Sequence, residues 1–305
     1  MKSLQNRLYE GFFKNAGGLV RPTTKKELQD EIKIRLKRGQ TNLNDIDTSR
    51  ITDMSNLFYL FRKYDLSKID ISKWDVSNVE NMRSMFGYCT NFKCDLSGWD
   101  VSNVKDMHNM FSNCNRFNSD LSKWNMSKVE NMNNMFAYCW RFNSDLSKWD
   151  VSKVNDISYM FKDCTNFNSD LSRWNVSSVK YMEYMFYNCK NFNCDLSGWD
   201  VSSVENMYRM FYNCRKFNSN LSKWDVSSVE DMGCMFYDCS NFNSNLSRWD
   251  VSKVTNMFCM FNGCKQFNCD LSKWDVRKAY HLEFMFDDSG VKVLPSWYKE
   301  ITLKK

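Results

Sequence analysis

Several features that mark common protein classes are scarce or missing in this chain. Only two prolines, two histidines and ten glycines occur among 305 residues. So little proline and glycine argues against a disordered chain. No run approaches the roughly 18 apolar residues of a membrane span, and residues 1–18 lack the apolar core of a signal peptide. The sequence therefore predicts no membrane insertion and no export signal.

Signatures of catalysis are missing as well. The chain contains no G-x-S-x-G, P-loop, H-E-x-x-H or G-x-G-x-x-G motif. Its two histidines, His108 and His281, are far apart, and its acidic residues and cysteines recur at a fixed period. An active site would interrupt such a period locally. We therefore expect a protein that is not an enzyme and that needs no cofactor.

What the chain does contain is a 25-residue repeat. Nine tryptophans follow one another at this step, from Trp74 through Trp99 to Trp274. Cysteine keeps the same step from Cys89 to Cys264, as does a Met-Phe pair from Met85 to Phe286. A unit of this size cannot bury its own apolar face, so neighbouring units must stack. The sequence therefore predicts a solenoid.

Each unit carries two different hydrophobic periods. Phe92, Cys94 and Leu96 alternate with polar residues, which is typical of a half-buried strand. A second part has apolar residues spaced by three or four, which is typical of a helix: Val104, Met107, Met110, Phe111 and Cys114. Ser77 and Glu80 match a helix capping box between these parts. We therefore predict an α/β solenoid of about ten strand-turn-helix coils, curved with its strands on the concave side because strand ladders are narrower than helix pairs.

The unit F-x-x-D-L-S-x-W-D-V-S-x-V-x-x-M-x-x-M-F-x-x-C resembles the repeat of BspA-like surface proteins and the related mycoplasma lipoprotein repeat. This resemblance covers roughly residues 46 to 290. It implies a leucine-rich-repeat-like solenoid with a role in adhesion or recognition, and it brings no catalytic residues. Members of that family are typically exported, whereas this chain shows no export signal.

The two ends depart from the repeat and predict caps. Residues 1–45 are expected to form an N-terminal helical cap, residues 46–290 the repeat solenoid, and residues 291–305 a C-terminal cap. An amphipathic helix is predicted from Thr23 to Arg38, with Thr24 as N-cap and Gly39 after its end. A last strand is predicted from Val291 to Trp297.

Charge and cysteine usage bear on partners and compartment. The net charge of +6 lies at the ends, because the repeats between residues 51 and 275 hold 25 basic and 26 acidic residues. A nucleic-acid partner is therefore not expected. The 13 cysteines are odd in number, are widely spaced and include no C-x-x-C pair. We expect free thiols, no metal site at cysteine and a reducing, cytoplasmic compartment, while the family resemblance allows a surface or virion location.

The aspartate column from Asp95 to Asp195 leaves two interpretations open. Stacked carboxylates need compensation, either from a cation such as calcium or from hydrogen bonds to the backbone and to a nearby lysine or arginine. Asn220 and Asn245 replace aspartate in this column, which favours hydrogen bonding.

Tyrosine collects at outward positions of the predicted helix, and it is typical of protein interfaces. The candidate binding residues are Tyr159, Tyr181, Tyr184, Tyr187, Tyr212 and Tyr237. They predict a recognition scaffold that binds a protein or a glycan. The alternatives are that these rings only cover gaps between helices, and that the protein is a structural or assembly component acting through its length and self-association.

Overall fold

A computed structural model describes residues 19–302, and the predicted residues 1–18 and 303–305 of the caps lie outside them. Successive repeats stack as coils in strict 25-residue register. Parallel bridges join Asn81 to Asp106 and continue coil by coil to His281. The predicted repeat solenoid is confirmed. Helices in the described residues are α1 (Lys25–Lys37), a 3-10 turn (Tyr59–Phe61) and α2 (Ser296–Thr302), and strands are reduced to isolated bridges.

The predicted helix of each repeat is wrong. The segment from Asn81 to Tyr88 forms a parallel ladder with the next coil instead, through Met82 N to Asp106 O at 2.9 Å and Phe86 N to Met110 O at 2.9 Å. An α-helix uses its amides along its own axis and packs at about 8–10 Å from a neighbour. Direct hydrogen bonding between coils therefore excludes an α-helix here. The apolar residues are spaced by three because consecutive turns of the backbone each place one side chain inward.

Alternating backbone conformation lets the ladder and the turns coexist. Within the segment, Met85 N bonds to Met82 O and Gly87 N to Ser84 O, while the intervening amides bond to the next coil. Ser84 and Tyr88 have φ of 53° and 61°, and their equivalents in the following coils are also left-handed. This conformation suits Asn, Asp and Gly. Those residues fill the Tyr88 column in seven of nine copies: Asn113, Asp163, Asn188, Asn213, Asp238, Gly263 and Asp288.

The predicted strand and capping box are replaced by turns as well. Asp95 Oδ1 accepts the Ser97 amide at 2.9 Å, and Asp75 Oδ1 accepts the Ser77 amide at 3.0 Å. These are Asx turns, in which a side-chain oxygen stands in for a backbone acceptor. Ser77 thus belongs to a turn, since no helix follows it for Glu80 to cap.

The core consists of columns, meaning equivalent residues 25 positions apart. The Val, Met, Phe, Cys, Leu and Trp columns are almost fully buried in every coil, and Trp174 is 3% exposed. Ring spacing differs between columns: Tyr212 and Tyr237 on the ladder stack at 4.5 Å, whereas Trp199 and Trp224 stack at 6.5 Å. The coils therefore diverge away from the ladder, which places the ladder on the concave side of a curved stack.

Side chains bridge the coils on the wide side. Trp174 Nε1 donates to Leu146 O at 3.0 Å, and Asn193 N donates to Asn168 Oδ1 at 2.8 Å. The Leu121 amide donates to Ser144 Oγ at 2.8 Å. A backbone amide that cannot reach the next carbonyl must find another partner. The Trp, Asn and Ser columns recur because each supplies such a bridge.

The ends of the stack are closed differently. The predicted N-terminal helix is confirmed as α1, whose N-cap Thr24 accepts from the Glu27 amide, and Gly39 follows with φ +70°. The predicted strand before Trp297 is wrong, since residues 291–295 are irregular, with a bend at residues 292–293, and lead into α2. Proline at position 295 favours this helix start. Trp297 Nε1 donates to Leu271 O at 2.9 Å and so continues the bonding of the tryptophan column into the cap.

Candidate binding surface

The outward side chains of the ladder form one continuous surface, called the ladder face here. It comprises five columns, which begin at Asn81, Arg83, Ser84, Gly87 and Tyr88 and end in the coil of His281 to Asp288. Inward neighbours such as Met82 and Phe86 are fully buried. Residue types vary far more on this face than in the core columns. The positions that sequence periodicity assigned to an outward helix face therefore lie on a parallel ladder.

Five of the six predicted tyrosines come together at the centre of the ladder face. Tyr159 and Tyr184 stack at 4.6 Å in one column. Tyr187, Tyr212 and Tyr237 stack at 4.6 and 4.5 Å in another. A contact of 5.5 Å between Tyr184 and Tyr187 joins the two stacks. Because the rings lie face to face along the stack, they present mainly their edges and hydroxyl groups outward.

Tyr181 lies apart from these five. It is 41% exposed and occupies the Asn81 column, where it bridges to Asp156 and Asn206. Among the described residues, Tyr181 makes no ring contact with another aromatic side chain. Its place at the edge of the face separates it from the stacks.

Sequence reasoning missed four members of this cluster: Tyr138, Lys162, Tyr208 and Arg209. The Lys162 ammonium lies 5.2–5.6 Å from the ring centres of four tyrosines: Tyr138, Tyr159, Tyr184 and Tyr187. The Arg209 guanidinium lies 5.0–5.6 Å from the rings of Tyr184, Tyr208 and Tyr212. Such cation–π contacts hold both cations within the cluster. Lys162 and Arg209 share columns with predicted tyrosines, whereas Tyr138 and Tyr208 lie in other columns of the face. We call this group of seven tyrosines, Lys162 and Arg209 the tyrosine cluster.

Burial changes the ionisation of two hydroxyl groups of the cluster. It raises the pKa of Tyr208 and of Tyr212 to about 12. Burial also raises the pKa of the Glu183 carboxyl, with a further contribution from the charges of Asp156 and Asp231. These residues are half-buried, so neutral phenols and partly desolvated charges lie side by side on the ladder face.

Three polar atoms beside the cluster are buried without a hydrogen bond of good geometry in the described residues: Ser158 Oγ, Glu183 Oε2 and Arg209 Nε. Ser158 is fully buried and directly precedes Glu183 in the Arg83 column. The Ser158 hydroxyl counteracts part of the rise in the Glu183 pKa through a hydrogen bond to the carboxyl group, but the geometry of this bond is poor. Unsatisfied buried groups are costly and rare in native proteins.

The other candidate sites have structural roles. In the described residues every cysteine is a free thiol, as predicted. Each thiol of the Cys89 column donates to a carbonyl in the preceding coil, for example Cys164 Sγ to Phe136 O at 3.0 Å. Asp120 Oδ1 accepts the Ser122 amide, and this bond together with the charge of Lys123 lowers the Asp120 pKa. The aspartates of this column thus make the backbone hydrogen bonds that the second interpretation expects.

In the part of the chain that the structure describes, no three His, Cys, Asp or Glu side chains come together as ligands for a metal ion. None of its helices has the length and apolar composition needed to cross a membrane.

The repeat array matches one protein family. The family described as Mycoplasma protein of unknown function, DUF285, matches three overlapping segments, 31–139, 119–214 and 191–294. The mycoplasma part of the predicted resemblance is thereby supported, while kinship with BspA-like proteins stays a prediction. No curated protein matches the chain significantly.

Solved structures with some similarity include leucine-rich-repeat-type proteins of low identity. Internalin C2 from Listeria monocytogenes is 9% identical with a TM-score of 0.26, over 68% of this chain and 73% of its own. The mouse RP105/MD-1 complex is 12% identical with a TM-score of 0.29, over 77% and 40%. A domain of InlJ from L. monocytogenes, described as including a cysteine ladder, is 13% identical with a TM-score of 0.22, over 88% and 59%. All three scores are below 0.5, so no function is transferred from these proteins.

Proposed function

The chain belongs to the mycoplasma family of unknown function DUF285, and we propose that it is a non-enzymatic recognition scaffold that binds a protein through its ladder face. The observation that carries this proposal is the tyrosine cluster, which gathers large rigid side chains on a surface where residue types vary between coils. Tyrosine and arginine are enriched at interface hot spots because they give much contact area for little conformational entropy.

A protein partner is favoured over a glycan by the orientation of the rings. Tyr187, Tyr212 and Tyr237 cover one another's faces at about 4.5 Å spacing. Sugars commonly pack on an open aromatic face, whereas this stack offers ring edges and hydroxyl groups. Edges and hydroxyls suit the mixed apolar and polar surface of a polypeptide.

The variant Tyr187→Ala/Tyr212→Ala/Tyr237→Ala tests the surface. Alanine already occupies this column at Ala137, so the backbone accepts it. We expect protein ligands selected on the wild type from a displayed peptide library to bind this variant at least about tenfold more weakly, since it loses a whole stack. Affinity is measured by fluorescence anisotropy, with a glycan array run in parallel.

The matched control is Trp140→Ala/Tyr280→Ala, which removes two aromatic side chains that are 52% and 66% exposed outside the cluster. It should bind selected ligands as the wild type does. If selected ligands bind the wild type and both variants equally, recognition does not use the tyrosine stack. Strong binding to the glycan array would show that the partner is a glycan and not a protein.

Self-association is a second candidate, favoured by the C-terminal end of the ladder. The amides of Leu282, Phe284 and Asp288 point past the last coil and have no acceptor among the described residues. Phe284 beside them is 55% exposed. Unpaired ladder edges promote pairing with another chain. This role predicts a molar mass that rises with concentration in light scattering, and that Phe284→Asp abolishes the rise. A monomer at every concentration would exclude it.

A further inference from the structure

Resting on the proposed function, we infer that the partner presents a basic polypeptide segment to the ladder face. The face carries nine acidic residues: Asp106, Asp156, Asp163, Glu183, Asp231, Asp238, Glu283, Asp287 and Asp288. It carries three basic ones, Arg83, Lys162 and Arg209, although the whole chain has a net charge of +6. The ladder face is therefore acidic although the whole chain is basic.

The basic residues of the face are already engaged within the chain. Lys162 and Arg209 lie among the tyrosine rings, and Arg83 lies 3.8 Å from Asp106. Among the described residues, two of the acids also pair with basic residues beyond the face. Asp238 meets Arg215 at 3.0 Å, and Asp288 meets Lys265. A net negative charge therefore remains on the face for a partner, which it attracts over about a Debye length.

The unsatisfied atoms at the centre of the face independently point to a ligand. Ser158 Oγ and Glu183 Oε2 both lack a hydrogen bond of good geometry among the described residues, and both can accept one. A lysine ammonium or an arginine guanidinium supplies several donors and no acceptor, so it fits this pair. Arg209 Nε is a donor without an acceptor, and a backbone carbonyl would complete it. A basic polypeptide carries both kinds of group, whereas a simple polyamine carries no carbonyl.

The repeat itself supplies substitutions that remove charge and keep the fold. Asp106, Asp156 and Asp231 each accept the amide two residues later through Oδ1. Asparagine makes the same turn in this column at four positions: Asn81, Asn131, Asn206 and Asn256. The triple variant Asp106→Asn/Asp156→Asn/Asp231→Asn therefore loses three negative charges from the ladder face alone.

A matched control removes the same charge from the wide side. Asp120, Asp145 and Asp170 occupy a column in which Asn220 and Asn245 make the same Asx turn. The triple variant Asp120→Asn/Asp145→Asn/Asp170→Asn thus has the same net charge as the ladder-face variant. A difference in binding between the two reports where the charge lies.

The probe is a fluorescent oligolysine peptide of about ten residues, which spans about 33 Å when extended, with oligoglutamate as its counterpart. We expect the wild type and the wide-side variant to bind oligolysine equally at low salt. The ladder-face variant should bind about tenfold more weakly, and the difference should shrink at high salt. Equal binding by both triple variants, no oligolysine binding by the wild type, or a preference for oligoglutamate would each overturn the inference.

The buried pair is tested by Ser158→Ala. Removing an unsatisfied buried hydroxyl should leave the thermal unfolding midpoint of the free protein unchanged or higher. Binding of oligolysine should nevertheless weaken severalfold, a combination that a merely structural role would not give. If Ser158→Ala binds oligolysine as tightly as the wild type does, Ser158 and Glu183 are not part of the binding site. A further outcome is that ligands selected on the wild type require the tyrosine stack but contain no excess of lysine or arginine. In that case the recognition function stands, and the inference that the partner is basic is wrong.

Discussion

Replacing Trp174 with alanine is expected to lower the free energy of unfolding by about 3–5 kcal/mol. Trp174 is 3% exposed and stacks between Trp149 at 6.4 Å and Trp199 at 6.5 Å. Its ring also packs 6.3 Å from Phe161, and Nε1 donates to Leu146 O. The substitution therefore opens a cavity in mid-array and leaves a buried carbonyl without its donor. Urea unfolding followed by circular dichroism measures the loss.

The chain contains its own control for this prediction. Trp140 is 52% exposed, so Trp140→Ala should change stability by no more than about 0.5 kcal/mol. Trp174→Phe keeps an aromatic ring but loses the indole donor, and should cost less than alanine. Equal stability of Trp174→Ala and Trp140→Ala would show that the tryptophan column does not hold the coils together.

The repeat predicts the buried columns well, because burial depends only on which residues of each coil point toward the core. Period, register, the buried tryptophans, the free thiols and helix α1 are all visible in the sequence. Helix and ladder could not be separated by the apolar spacing of Val104, Met107 and Met110, since consecutive turns place side chains inward at the same interval. The signal that was missed lies in the residue directly before each cysteine of the Cys89 column. Asn, Asp or Gly at this position predicts a left-handed backbone conformation, which interrupts a helix.

The candidate surface was predicted in part for the same reason. Tyr187, Tyr212 and Tyr237 occupy one column. Equivalent residues of neighbouring coils lie next to one another whatever the local backbone conformation is. The cluster around Lys162 and Arg209 depends on contacts between different columns, such as Tyr184 with Tyr187. Those contacts follow from the turns within each coil, which the spacing of apolar residues does not determine. Unsatisfied atoms such as Ser158 Oγ leave no trace in a sequence at all.

Stability should fall steeply between about pH 8.5 and 10, because the unfolded chain ionises its cysteines there and the folded chain does not. Burial raises the pKa of Cys89 to about 12. It raises the pKa of the other seven thiols of this column well above the ordinary range: Cys114, Cys139, Cys164, Cys189, Cys214, Cys239 and Cys264. Since the unfolded chain then binds fewer protons than the folded chain, each thiol lowers the free energy of unfolding by about 1.4 kcal/mol per pH unit.

Urea unfolding under reducing conditions at several pH values measures this slope. Cys139→Ser/Cys164→Ser is the matched variant. Its hydroxyl groups are positioned to donate to the carbonyls of Phe111 and Phe136, which now accept the two thiols, but they do not ionise. Its stability should therefore decline less steeply with pH by the contribution of two thiols. A free energy of unfolding that stays flat from pH 8 to pH 10, or equal slopes for both proteins, would mean that the thiols of this column reach water in the folded protein.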